Sequence, residues 1–253
     1  MAKMNTALEG KGLSDHLATG AIQPVRPPLR ERLSRIRWLA VVFFFFFPKR
    51  FRGLGRRRGE RLMRDVVDFL DAKKVPLQID YGTLLGCIRD DGLIPWDEDI
   101  DLAVRVEDLP TLLGAAESAP RDQLRLETYV LPAGDFGDSG FSAGDVWLVR
   151  LVRPATLSFP REFYADIEIR RRESTRVWWA MLYHGGVYLC SASEEMLRDG
   201  PPREFLGRRV TGLPNQPEDY LVHVYGDWKE PNSDYLLPQD GSIVRNWPIG
   251  PAG

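Results

Sequence analysis

Apolar and polar positions along this chain change period several times, and each change predicts an element. Over residues 59–74, Leu62, Met63, Val66, Val67, Phe69 and Leu70 recur at helical spacing, and the helix is expected to stop before Pro76. Residues 77–81 read as a short strand and 83–89 as a helical turn. From Asp99 the period drops to two: Asp99, Asp101 and Ala103 share one face, and Ile100, Leu102 and Val104 the other, predicting a half-buried strand over 100–104. Residues 107–118 predict a helix, with Pro110 tolerable in its first turn. Further strands are expected at 124–130, 146–152 and 164–169, followed by a hairpin of 177–183 and 187–190 about His184-Gly185-Gly186. Strands separated by helices give the fold class α/β (α+β), a mixed sheet flanked by helices.

Composition adds mostly exclusions. The 253 residues are 43% hydrophobic and 28% charged with a net charge of −2, so no nucleic-acid partner is expected. Two cysteines, Cys87 and Cys190, exclude a disulfide framework and make a reducing, cytoplasmic compartment the expectation. No Cys/His cluster with zinc spacing occurs, and His16, His184 and His223 are scattered and read as structural or exposed. Residues 1–30 are polar, with glycine, proline and few large apolar side chains. They precede a run from Trp38 to Phe47 that ends in five phenylalanines, with arginines and Lys49 on both sides. The run is half the roughly 20 residues of a membrane span. It suits either peripheral attachment to an anionic membrane surface or burial against the rest of the chain.

Chemistry concentrates in the strand that begins after Asp97. Asp99 and Asp101 would project side by side, roughly 7 Å apart at Cα, and repel by roughly 2 kcal/mol at an effective dielectric near 20. A divalent cation between them would relieve that cost. Magnesium fits best, with manganese as its substitute, because it takes one or two carboxylates plus phosphate oxygens. A calcium loop of the EF-hand type is excluded, since its sixth position requires glycine and here is Leu102. Residues 164–169 repeat the pattern, with Asp166 and Glu168 on one face, so a neighbouring strand could supply a third carboxylate.

The segment Tyr81-Gly82-Thr83-Leu84-Leu85-Gly86, Ile88-Arg89, Gly92, then Ile94-Pro95-Trp96-Asp97-Glu98-Asp99-Ile100-Asp101 resembles the signature of the LicD family. That family includes bacterial phosphocholine transferases, fukutin and fukutin-related proteins. Gly212-Leu213-Pro214-Asn215, Tyr220-Leu221, Tyr225-Gly226-Asp227-Trp228 and Pro231 are similar to its closing helix. The resemblance implies a nucleotidyltransferase-like fold over residues 56–235, preceded by an extension, 1–55, and followed by a tail, 236–253. It also implies transfer of a substituted phosphate from a CDP-linked donor to a glycan or glycolipid hydroxyl. In that frame Asp99, Asp101 and Asp166 are the catalytic carboxylates, and Asp166 either completes the metal shell or takes the acceptor's proton. Asp97 is a further metal ligand or a cap on the Pro95-Trp96 turn; Gly82, Thr83 and Arg89 receive phosphate oxygens. Trp96 stacks on a base or sugar, or packs. Two departures concern the substrates: Asp90-Asp91 stand where relatives often carry a basic residue, and Arg170-Arg171-Arg172 follow Ile169. The arginines would meet a phosphorylated substrate or form a solvated turn. Competing readings are a catalytically silent binding or assembly module at a membrane, and a nucleotidyltransferase acting on another acceptor.

Overall fold

The computed structural model describes residues 50–118, 124–156, 161–183, 186–235 and 240–248. The apolar run Trp38–Phe47 and the turn residues His184 and Gly185 lie outside them. The first helix, α1 (Leu54–Ala72), buries Leu62, Met63, Val66, Val67 and Leu70 as their spacing predicts. It starts five residues earlier than the apolar periodicity, because its first turns bury only Gly55 and Gly59 and otherwise carry arginine. After it comes β1 (Gln78–Ile79), which is shorter than predicted because Asp80 caps a new helix. That helix, α2 (Tyr81–Leu85), runs into a π-helical turn over Gly86–Asp90.

Strand β2 (Ile100–Arg105) follows where the period of two begins, then a 3-10 turn and α3 (Leu109–Glu117), with Pro110 in the first turn. Next are β3 (Arg125–Val130), β4 (Val146–Arg153) and β5 (Phe163–Glu173). The hairpin is β6 (Arg176–Tyr183) with β7 (Gly186–Ser193). A short α4 (Glu194–Leu197), the two-stranded β8 (Arg203–Phe205) and β9 (Arg208–Val210), and α5 (Pro217–Tyr225) complete the expected domain. Residues 240–248 are not a tail: β10 (Ile243–Pro248) pairs antiparallel with β7.

The main sheet has eight strands in the order β1-β2-β5-β6-β7-β10, with β4 also pairing β5 and β3 pairing β4. Only β2 and β5 run parallel, so the sheet is mixed, as predicted. Register divides the sheet into two faces. Ile100, Leu102 and Val104 stand beside Ala165, Ile167 and Ile169, and this wholly buried row meets α1. The other face carries Asp101, Ala103, Asp166, Glu168 and Arg150, and is covered by α2 and α5. Hydrophobic burial thus fixes one face of β2 and β5, and the period of two turns the acids to the other. Among the described residues, no helix is long and apolar enough to cross a membrane.

The run Arg170-Arg171-Arg172 is not a solvated turn. It continues β5, with Arg170 buried against Asp80, Arg171 paired to Asp145 at 3.0 Å and Arg172 to Glu194 at 2.9 Å.

Candidate metal centre and its cavity

Asp97, Asp99 and Asp101 each present one carboxylate oxygen within 4.8 Å of the other two. Asp101 is set by β2, and its backbone N–H donates to Thr83 Oγ1 at 2.9 Å. Thr83 N–H returns a bond to Asp101 Oδ2 at 3.3 Å. The turn before β2 holds Asp97: its N–H donates to the Ile94 carbonyl, its carbonyl accepts from Phe51 N–H at 3.0 Å, and its Oδ1 accepts from Glu98 N–H at 3.0 Å. One oxygen of Asp97 therefore shapes the turn while the other faces Gly82. A Cβ on Gly82 would lie 2.0 Å from Asp97 Oδ2 and 3.0 Å from Asp101 Oδ2. Glycine is required there so that two carboxylates can close on the helix backbone.

Across the parallel pair, Asp166 stands beside Asp101, and on its other side beside Arg150 of β4. Arg150 donates to both Asp166 oxygens, at 2.6 and 2.7 Å, with its guanidinium 4.0 Å from the Tyr164 ring centroid. The structure thus gathers Asp97 with Asp99 and Asp101, and places Asp166 in the same cavity with its carboxylate held by Arg150.

That cavity, of about 500 Å³, is also lined by Gly82, Arg89, Trp96, Trp147, Glu168, Tyr225, Asp227, Trp228, Glu230 and Tyr235. Arg89 bonds Asp90 and the Trp228 carbonyl, and its guanidinium lies 5.7 Å from the Trp96 ring centroid. Thr83 is buried beneath the cavity rather than on its wall, and its N–H and Oγ1 both bond Asp101.

Behind the acids lies a second buried network. Asp80 caps α2 by accepting from Tyr81 N–H at 2.9 Å, accepts from Tyr220 Oη at 2.9 Å, and pairs with Arg170. Arg170 also donates to Gln78 Oε1 at 3.2 Å and to the Tyr220 hydroxyl at 3.1 Å. Tyr81 Oη donates to Asp240 at 2.8 Å and accepts from Trp179 Nε1 at 2.8 Å. These bonds fix the start of α2, and with it the position of Gly82.

Electrostatically the centre is short of positive charge. Burial first, then the charges of Asp97 and Asp166, hold Asp99 well above the ordinary carboxylate range. Asp101 is raised likewise by burial, Asp99, Asp97, Asp166 and Glu168. Burial also raises Asp97, and it raises Asp166 against the opposing pull of Arg150. Glu168 is pushed well up by burial and by Asp80, and its Oε2 has no hydrogen-bond partner among the described residues. Convergent carboxylate oxygens, raised pKa values and a glycine cradle fit a hard divalent cation such as Mg²⁺ or Mn²⁺.

Arg150 and the aromatic wall other than Trp96 are site features that residue patterns did not single out, whereas the period of β5 already sets Glu168 on the face of Asp166. Arg150 carried a usable signal, a lone charge at the centre of an apolar strand. Tyr225 and Tyr235 come from segments brought together only by the fold, their ring centroids 4.7 Å apart.

Residues 74–211 match the family model described as LicD/FKTN/FKRP, nucleotidyltransferase domain. A 48-residue stretch is 40% identical to an uncharacterized protein of Rickettsia prowazekii, covering 19% of this chain and 18% of that protein. An uncharacterized protein of Rickettsia typhi matches at the same 40% identity over 48 residues, 16% of its length. The matched stretch thus spans less than a fifth of either relative. The family match takes in α2, the acidic turn, β2 and the central strand β5, and on that ground the chain belongs to the LicD/FKTN/FKRP family.

Proposed function

We propose that this protein is a metal-dependent transferase moving a substituted phosphate from a CDP-activated donor to a glycan or glycolipid hydroxyl. Membership of a family that includes phosphocholine transferases supports phosphotransferase-type chemistry. The observation that carries the reading is the closure of Asp97, Asp99 and Asp101 on one point against Gly82.

Phosphoryl transfer asks a protein for positioning and charge neutralisation. Asp97, Asp99 and Asp101 would hold Mg²⁺ or Mn²⁺, which when bound neutralises the donor's diphosphate and the charge gathering on the leaving CMP. Arg89 and Arg150 line the same cavity and supply cationic donors to phosphate oxygens. The acceptor hydroxyl attacks the phosphorus bearing the headgroup, the bond to CMP breaks, and the hydroxyl proton passes to Asp166. Trp96, Trp147, Tyr225, Trp228 and Tyr235 offer faces for a base or sugar. With Asp227 and Glu230 among them, the same wall suits a cationic headgroup such as choline better than a neutral polyol.

Thermal melts with CDP-choline, CDP-ribitol, CDP-glycerol, CTP, UTP and ATP, each with and without Mg²⁺, test this directly. Stabilisation by a CDP-alcohol should require the metal and vanish in Asp101→Asn. A folded protein that responds to none of these nucleotides refutes the transferase reading.

A further inference from the structure

On the opposite face of the sheet from the acids lies a second cavity of about 340 Å³, and its lining is cationic. Leu54 lies three and four residues before Arg57 and Arg58, which in turn lie four and three before Arg61, so these side chains of α1 form a single stripe along the helix. That stripe faces Arg153 at the end of β4 and Arg161 and Phe163 at the start of β5. Arg153 and Phe163 are cross-strand partners on the α1 side of the sheet, so the β4–β5 register itself brings Arg153 up to the helix.

Five guanidinium groups around one cavity repel one another. Burial, followed by the charges of Arg61 and Arg153, lowers the pKa of Arg58. Asp65 pairs with Arg153, whereas neither Arg57 nor Arg61 has a carboxylate at ion-pair distance among the described residues. The first turn of α1 borders the cavity and adds the positive end of the helix dipole. Leu54, half exposed, and the Phe163 ring give the same cavity an apolar side.

We propose that this cavity is a phosphate-binding site distinct from the metal centre, and that its occupant is the phosphate of an anionic lipid headgroup. Planar guanidinium forks match phosphate oxygens in pairs, which a loose surface charge does not. The lipid source follows from chain position. The apolar run ending at Phe47 stands seven residues before Leu54, within a tether of about 25 Å even when fully extended. An apolar segment and a headgroup clamp so close in the chain supply the two signals that stable peripheral attachment needs.

The full chain would be tested by co-sedimentation with phosphatidylcholine vesicles, with and without phosphatidic acid, and by thermal melts in inorganic pyrophosphate. The test variant is Arg57→Gln/Arg61→Gln. The charge-matched control is Arg203→Gln/Arg209→Gln on the β8–β9 hairpin, which Arg208 ties to Asp68 and Asp71 in the other half of α1. The test variant should bind phosphatidic-acid vesicles about thirtyfold more weakly than the wild type, and the control within about threefold. Pyrophosphate should raise the wild-type melting temperature but not that of the test variant.

Equal losses in test and control would reduce the effect to diffuse charge and overturn the site. A pyrophosphate response without vesicle binding would overturn the lipid source and assign the site to a soluble phosphoryl compound. Neither response would overturn both. Metal-dependent CDP-alcohol binding is unaffected by Arg57→Gln/Arg61→Gln, so failure here is separable from failure of the transferase reading.

Discussion

Replacing Gly82 with alanine isolates the metal centre from the stability of the fold. Gly82 is the second residue of α2 and its φ is not positive, so alanine fits the backbone and by helix propensity alone favours it by about 1 kcal/mol. The added Cβ, however, would sit 2.0 Å from Asp97 Oδ2, where ordinary contact begins at 3.4 Å. The carboxylate must retreat by about 1.4 Å, and that oxygen is the one that shares the Gly82 cradle with Asp101 Oδ2. From a magnesium contact near 2.1 Å, such a retreat weakens the attraction of one carboxylate for the divalent ion by about 1.6 kcal/mol, even at the dielectric of bulk water. Affinity should fall at least about fifteenfold. Mn²⁺ binding, followed by the loss of the free-ion electron paramagnetic resonance signal, measures this, and circular dichroism melts check the fold. Wild-type Mn²⁺ affinity in a folded Gly82→Ala variant would refute the assignment of these three oxygens as the ligand set.

Three further outcomes follow from the buried charges. An acid whose pKa is raised by folding stays protonated in the native state while its unfolded form ionises near pH 4, so stability falls as pH rises above that value. With Asp99 and Asp101 both raised, melting temperature in chelator should drop between about pH 5 and about pH 8, with Mg²⁺ restoring more at the higher pH; a flat profile would contradict the repulsion. Arg170→Gln strands the charge of Asp80, which is fully buried, and should cost about 3–5 kcal/mol in urea denaturation, whereas Tyr220→Phe should cost about 1 kcal/mol. If Asp166 receives the acceptor's proton, Asp166→Asn should lower kcat by about 10²–10⁴ with Mn²⁺ affinity unchanged; a loss of affinity instead would make it a metal ligand.

Where burial alternates on a simple period, the sequence was readable. The strict alternation from Asp99 to Val104 located β2 and turned its acids to one face, and the helical spacing of Leu62 to Leu70 located the buried stripe of α1. Ends were less legible, because they depend on groups distant in the chain. Strand β1 stops at Ile79 because Asp80 turns away to cap α2 and meet Arg170, 90 residues later. β10 depends on pairing with β7, a contact that no local period announces. Arg170 misled for a related reason. Three consecutive arginines have the composition of an exposed turn, yet on a strand alternate residues face opposite ways, and Arg170 points inward to the buried carboxylate that needs it.

The buried roles of Arg150 and Arg170, which patterns did not reveal, clarify why a cation would suit the centre. Asp80, Asp97, Asp99, Asp101, Asp166, Glu168 and Asp240 crowd the α2 side of the sheet, and each is at least partly withdrawn from water. Arg150 engages Asp166 and Arg170 engages Asp80. Asp240 is satisfied by Tyr81 and the Ser242 N–H. What remains is Asp97, Asp99 and Asp101, the group whose oxygens converge, with Glu168 raised beside them. Asp80, Asp166 and Asp240 are thus satisfied, Asp166 on the cavity wall itself, while the Asp97, Asp99 and Asp101 cluster has no ion-pair partner among the described residues. Buried like charges are retained at a cost in stability when a bound ion offsets it. A divalent cation has the sign, the hardness and the oxygen preference to do so.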